Sequence, residues 1–124
     1  MDGRPRVLVV DDSPLSAGLL CDLAALAGGE ALWAKTAAEA LAEGEAFALA
    51  IVDLRLPDGD GADLARRLKG RCPAPVIACS ATPPGELLPG AWDDQPFDGW
   101  IGKPFESARV LARLREILGN EKSA

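Results

Sequence analysis

Two uninterrupted apolar runs, Val7 to Val10 and Ala48 to Val52, constrain this chain more than any other feature. A strand with one wet face alternates polar with apolar residues, whereas a short continuous run rich in valine and isoleucine reads as a strand buried on both faces. Both runs end in acid, the first in Asp11 and Asp12 and the second in Asp53. Ligands of an open parallel sheet bind outside the carboxyl ends of its strands, so these three carboxylates are expected to converge on one small site. Together they would raise one another's pKa unless a cation neutralised them. A hard divalent ion with oxygen ligands is the natural counter-charge, and Mg2+ suits a shallow site that keeps waters and meets phosphate.

Apolar β-branched runs alternate with helical patterns five times, the signature of an α/β fold with a parallel sheet. The first strand is expected over about Arg6 to Asp11, followed by a helix capped by Ser13, begun by Pro14 and stopped at Gly28 and Gly29. Leu15, Leu19, Leu23 and Leu26 fall at helical spacing and predict its apolar face. A weaker strand around Ala31 to Ala34 leads to a capping box, Thr36 to Glu39, that opens a second helix through about Ala46. The strand ending in Asp53 is third. Pro57 to Gly61 is turn chemistry, and Leu64, Ala65 and Leu68 stripe a third helix ending near Gly70.

Pro75 to Ser80 reads as the fourth strand and Phe97 to Gly102 as the fifth. Between them, Pro83, Pro84, Gly85, Pro89 and Gly90 leave room for only a short or distorted helix in 82–96, with Leu87, Leu88 and Trp92 as its apolar contacts. Val110, Leu111, Leu114, Ile117 and Leu118 mark an amphipathic last helix from about Glu106, with a frayed tail from Asn120.

Composition narrows the chemistry. At 124 residues the chain fits one domain, here expected to span 1–124 without an output domain. Thirteen basic against 19 acidic residues give a formal charge of -6, which argues against direct contact with nucleic acid or an anionic membrane. No apolar run approaches a membrane span and the first residues do not form a signal peptide, so a cytoplasmic location is expected. Cys21, Cys72 and Cys79 lack the spacing of a zinc site and are expected to be free thiols. Without any histidine, a Ser-His or Cys-His pair is impossible, and acids, hydroxyls and lysine must do the work.

Five marks in order, each at a strand end or just after it, carry a resemblance over nearly the whole chain. They are Asp11 and Asp12, Asp53, Pro57 with Gly61, Ser80 with Ala81, and Lys103 with Pro104. In these the chain resembles a two-component response-regulator receiver domain. The resemblance implies a flavodoxin-like (βα)5 three-layer sandwich with a five-stranded parallel sheet in the order 2-1-3-4-5. It implies that Asp53 is the phosphoacceptor, charged by a histidine kinase or a histidine phosphotransfer protein. By the same resemblance Asp12, Asp53 and the backbone carbonyl of Arg55 coordinate Mg2+, with Asp11 acting largely through water. Lys103 would meet the phosphoryl oxygens, Pro104 would follow a cis peptide bond, and Ser80 and Trp100 would form the switch that passes the signal to a downstream protein.

Three departures qualify the likeness. Leu56 stands where the family usually has methionine, a volume-conserving exchange, and Trp100 replaces the usual tyrosine or phenylalanine. The proline and glycine content of 82–96 departs from the family's regular fourth helix. Two other functions fit parts of the pattern: a Mg2+-dependent phosphatase with an aspartyl nucleophile, and a receiver-like scaffold that needs no phosphorylation. The phosphatase class of the haloacid dehalogenase type places its nucleophile and acid two residues apart, whereas Asp11 and Asp12 are adjacent and Arg55 stands two past Asp53. The expected chemistry is therefore that of a switch, limited to accepting a phosphoryl group and slowly losing it, and not that of an enzyme.

Overall fold

The computed structural model describes residues 4–43, 46–81 and 97–123. Strands β1 (Arg6–Val10), β2 (Glu30–Ala34), β3 (Leu49–Asp53), β6 (Val76–Ser80) and β7 (Gly99–Gly102) form one parallel sheet in the order β2-β1-β3-β6-β7. That is the expected 2-1-3-4-5 arrangement once the short antiparallel ribbon of β4 (Arg55–Leu56) and β5 (Gly59–Asp60) is set aside. The ribbon falls where turn chemistry alone was expected, and it pairs Arg55 with Asp60.

Helices cover both faces of the sheet. Side chains alternate across a strand, so Val7 and Val9 join α1 (Pro14–Leu26) and α4 (Ser107–Ser123) on one side. Leu8 and Val10 join α2 (Ala37–Ala42) and α3 (Gly61–Arg71) on the other. This double covering explains why β1, β3 and β6 read as continuous apolar runs. Helix α2 ends at Ala42, short of the expected Ala46, because Glu43 turns extended with ψ 118°. Helix α4 continues through Ser123, past the tail expected to fray from Asn120. The expected short helix in 82–96, with Leu87, Leu88 and Trp92, lies outside the described residues.

The apolar face of α1 is a correction. Leu15, Leu19 and Leu26 are exposed, at 83%, 41% and 64%, whereas Ala17, Leu20, Leu23 and Ala24 are buried against the sheet. Only Leu23 belongs to both sets. At 100° per residue both sets fall at helical spacing, and the docking of α1 between β1 and α4 selects the alanine-containing face.

The helix ends follow local chemistry. Ser13 caps α1 by accepting from the Ser16 N–H, and Gly28 follows its end with φ 96°, the left-handed conformation that favours glycine. At α2 the capping box is skewed: Thr36 accepts from Glu39, while the Glu39 carboxylate accepts from Lys35 N–H at 2.9 Å. Asp58, on the turn between β4 and β5, also reaches the start of α2, accepting from Ala37 N–H at 2.9 Å and Ala38 N–H at 3.0 Å. Those two hydrogen bonds hold its carboxyl below the usual range and tie the loop after Asp53 to a neighbouring helix.

The phase of α1 is testable by urea unfolding. Leu20→Ala should cost about 3 kcal/mol through lost burial and a cavity, whereas Leu15→Ala should stay within about 0.5 kcal/mol of the parent. Equal losses would place the buried face elsewhere.

Candidate functional site

Strands β1 and β3 are central neighbours in parallel register, Val10 beside Val52, so Asp11 and Asp53 emerge side by side at the carboxyl edge of the sheet. Among the described residues Asp11, Asp12 and Asp53 are the one group of three with metal-ligating chemistry, each offering an oxygen within 4.8 Å of the others. Opposite ligands of a Mg2+ octahedron with ~2.1 Å bonds lie ~4 Å apart, so a donor set of this span and hardness fits that ion.

The three acids are engaged unequally. Asp11 is buried and held at four points. Its N–H donates to the Ala34 carbonyl at 3.1 Å, and its carbonyl accepts from the Trp33 indole at 2.8 Å. Its Oδ1 accepts from Ser13 N–H at 2.9 Å and its Oδ2 from Lys103 Nζ at 2.9 Å. Both carboxylate oxygens are thus already occupied, which suits an outer role in cation binding. Asp12 is exposed. Asp53 is half-buried; its Oδ1 accepts from Arg55 N–H at 3.2 Å, and its Oδ2 lies 3.7 Å from Lys103 Nζ, beyond hydrogen-bond length.

Lys103 directly follows β7, its N–H donating to the Ser80 carbonyl at 2.9 Å, and its peptide bond to Pro104 is cis, as the resemblance implied for that position. Burial alone would lower its pKa, but the hydrogen bond to Asp11 and the charges of Asp11 and Asp53 outweigh that and raise it, so it stays an ammonium ion. Burial is also the main cause that pushes the Asp53 carboxyl up; the Arg55 N–H and Lys103 counter it, and the charges of Asp11 and Asp12 add to it. Cys79, beside the site, is driven by burial to about 12, which makes it an inert thiol, and all three cysteines are free.

Glycines at two points let the backbone close around these groups. A Cβ on Gly61 would collide with the Asp53 carbonyl and the Leu54 backbone, so only glycine lets the first turn of α3 rest on the end of β3, where Gly61 N–H donates to the Leu54 carbonyl at 2.9 Å. Gly102 lies beneath the ring of Trp100. From there the Trp100 indole N–H is shared between the Ser80 carbonyl at 3.2 Å and the Ser80 hydroxyl at 3.3 Å. Ser80 is buried and the tryptophan side chain partly exposed.

The expected residues Asp11, Asp12, Asp53, Ser80 and Lys103 therefore meet at one edge, with Trp100 joined through Ser80 and Arg55 exposed at the rim. The position of Trp33 in the chain points to no role, yet its indole is bonded to the backbone of Asp11. Its one signal is a large ring placed near the end of an edge strand, in register with Val9.

Three acids faced by a lysine across the carboxyl ends of a parallel sheet are a site of the doubly wound α/β class whose donors could hold a metal ion. The sequence profile of the response regulator receiver domain matches residues 7–115. The chain is 34% identical over 120 residues to the transcriptional regulatory protein KdpE of Mycobacterium tuberculosis, covering 95% of this chain and 53% of that protein. It is 36% identical over 123 residues to the sensor protein TorS of Escherichia coli, covering 96% of this chain and 12% of that protein. In structure it is similar to a CheY-like response regulator receiver domain protein from Methanospirillum hungatei, with a TM-score of 0.85, 28% identity, and coverage of 98% of this chain and 100% of that one. The chain belongs to the response-regulator receiver domain family. It spans about half the length of the regulators it matches. Among the described residues no helix is long and apolar enough to cross a membrane.

The raised pKa of Asp53 fixes the sign of one effect. An acid titrating higher folded than unfolded destabilises the fold as pH rises through that window. Without metal at neutral pH, Asp53→Asn should melt at a higher temperature than the parent, and the difference should shrink as acidification protonates Asp53. A lower melting temperature at neutral pH would show that the contact with Lys103 outweighs desolvation.

Proposed function

We propose that this receiver domain is a phosphoacceptor switch in which Asp53 takes the phosphoryl group of a phosphohistidine on a histidine kinase or a phosphotransfer protein. The observation that carries the reading is the unequal engagement of the three acids. Asp11 has both oxygens bonded and Asp12 faces solvent, while Asp53 keeps an oxygen short of hydrogen-bond contact beside a lysine. That oxygen attacks phosphorus, the P–N bond to the donor imidazole breaks, and the bonding pair leaves with the imidazole, which takes a proton from solvent. Asp12, Asp53 and the Arg55 backbone carbonyl would hold Mg2+, with Asp11 acting through water, and the ion when bound would supply charge neutralisation at the phosphoryl oxygens.

Lys103 offers its ammonium to the same oxygens. Ser80 donates its hydroxyl to the new phosphoryl group, and the move releases the indole of Trp100, whose rotation carries the state to the surface of β7. Leu15 and Leu19, exposed on the turns of α1 that follow Asp12, support a protein donor that docks beside the site. The outgoing signal is a contact with a downstream protein rather than with nucleic acid, in keeping with the net charge of -6.

Incubation with Mg2+ and acetyl phosphate should add one phosphoryl group by intact mass, labile to base and absent from Asp53→Asn. An unmodified mass would favour a scaffold, and steady donor hydrolysis without an adduct would favour a phosphatase. Arg55, exposed at the rim, is proposed to shield the acyl phosphate from water. Arg55→Ala should therefore lose its phosphoryl group severalfold faster than the parent in a pulse-chase measurement, and an unchanged rate would remove that role.

A further inference from the structure

The bond between Trp33 and Asp11 has no counterpart in the sheet ladder. The parallel pairing of β1 with β2 ends at Val10 and Ala34, and its last rung is the Asp11 N–H donating to Ala34. Beyond that rung β2 leaves for α2, so among the described residues the Asp11 carbonyl, on a residue 1% exposed, has no strand partner. The Trp33 indole N–H takes that place at 2.8 Å. The ring itself is 41% exposed, with Lys35 Nζ 5.2 Å from its centroid. A partly exposed indole thus directs its only donor into the acidic edge.

The Asp11 carbonyl and the Asp12 N–H belong to one rigid peptide plane, so whatever fixes the carbonyl fixes the direction in which Asp12 leaves β1. Asp11 is anchored by its side chain as well, but Asp12 is exposed and its placement depends on that plane. We propose that Trp33 is a positioning residue that presets Asp12 for the divalent cation through the Asp11–Asp12 peptide. This rests on the reading above, in which Asp12 and Asp53 hold Mg2+. Preorganisation of this kind sets affinity because a ligand already held in place loses no freedom on binding, and outer-shell hydrogen bonds to metal sites are commonly worth 10–100-fold.

The test compares the parent, Trp33→Phe, and a protein carrying 3-benzothienylalanine at position 33, which keeps the ring shape and loses the N–H. Mn2+ serves as the probe, with free ion counted by electron paramagnetic resonance and competed with Mg2+. Both variants should bind Mn2+ about tenfold more weakly than the parent. In the metal-free state the Asp12 amide nitrogen should change its chemical shift while the melting temperature of the isostere stays near that of the parent. An isostere that binds Mn2+ as tightly as the parent overturns the proposal and leaves the cation site standing. A parent that binds no Mn2+ overturns the underlying reading and the proposal with it. If Trp33→Phe fails to fold, the isostere alone decides the point.

Discussion

Lys103 balances the charge on which the carboxyl edge of this sheet depends. Three acids crowd the ends of β1 and β3, and one ammonium ion from beyond β7 lies 2.9 Å from Asp11 and 3.7 Å from Asp53. The contact spans 92 positions of sequence and crosses the width of two strands. Its asymmetry matters more than its strength. By bonding Asp11 and only approaching Asp53, Lys103 separates a carboxylate engaged on both oxygens from a less engaged one of the same chemical type. Two adjacent sequence positions, Asp11 and Asp12, are likewise separated by burial: one is locked into the fold and the other stays in solvent.

Tryptophans tie the two sides of this edge to it. Trp33 on β2 donates to the backbone of Asp11, and Trp100 on β7 donates to Ser80. Each belongs to an outer strand of the sheet and each sends its indole N–H toward the central strands. At Trp33 an indole suits this position because its ring can cover a sheet edge while its one polar atom meets a carbonyl beyond the last rung of the ladder. At Trp100 the same donor is shared with the Ser80 hydroxyl, so the two residues proposed to form the switch are already hydrogen-bonded.

How far the sequence could be read varied with the kind of pattern. The central strands were legible because burial on both faces leaves no polar residue within the run, and their carboxyl ends named the acids directly. The phase of α1 was not legible. Leucines outnumber alanines in hydrophobic weight, so Leu15, Leu19 and Leu26 suggested the core, yet the close approach of α1 to the sheet admits the smaller Ala17 and Ala24. The β4–β5 ribbon was hidden for another reason: two-residue strands carry no periodicity, and Asp58 is held there by hydrogen bonds to a helix 20 and 21 positions away.

By itself the sequence determined the alternation of strands and helices, the parallel sheet, and the identity of the acids, the lysine and the serine at its edge. These follow from burial and from residues placed immediately after apolar runs, which are local properties. Only the tertiary structure decided which of the three carboxylates is occupied, which face of α1 is covered, and that Trp33 belongs to the site at all. Those outcomes turn on distances of a few ångströms between residues 20 to 92 positions apart, and such distances exist only once the sheet has brought its strands into register.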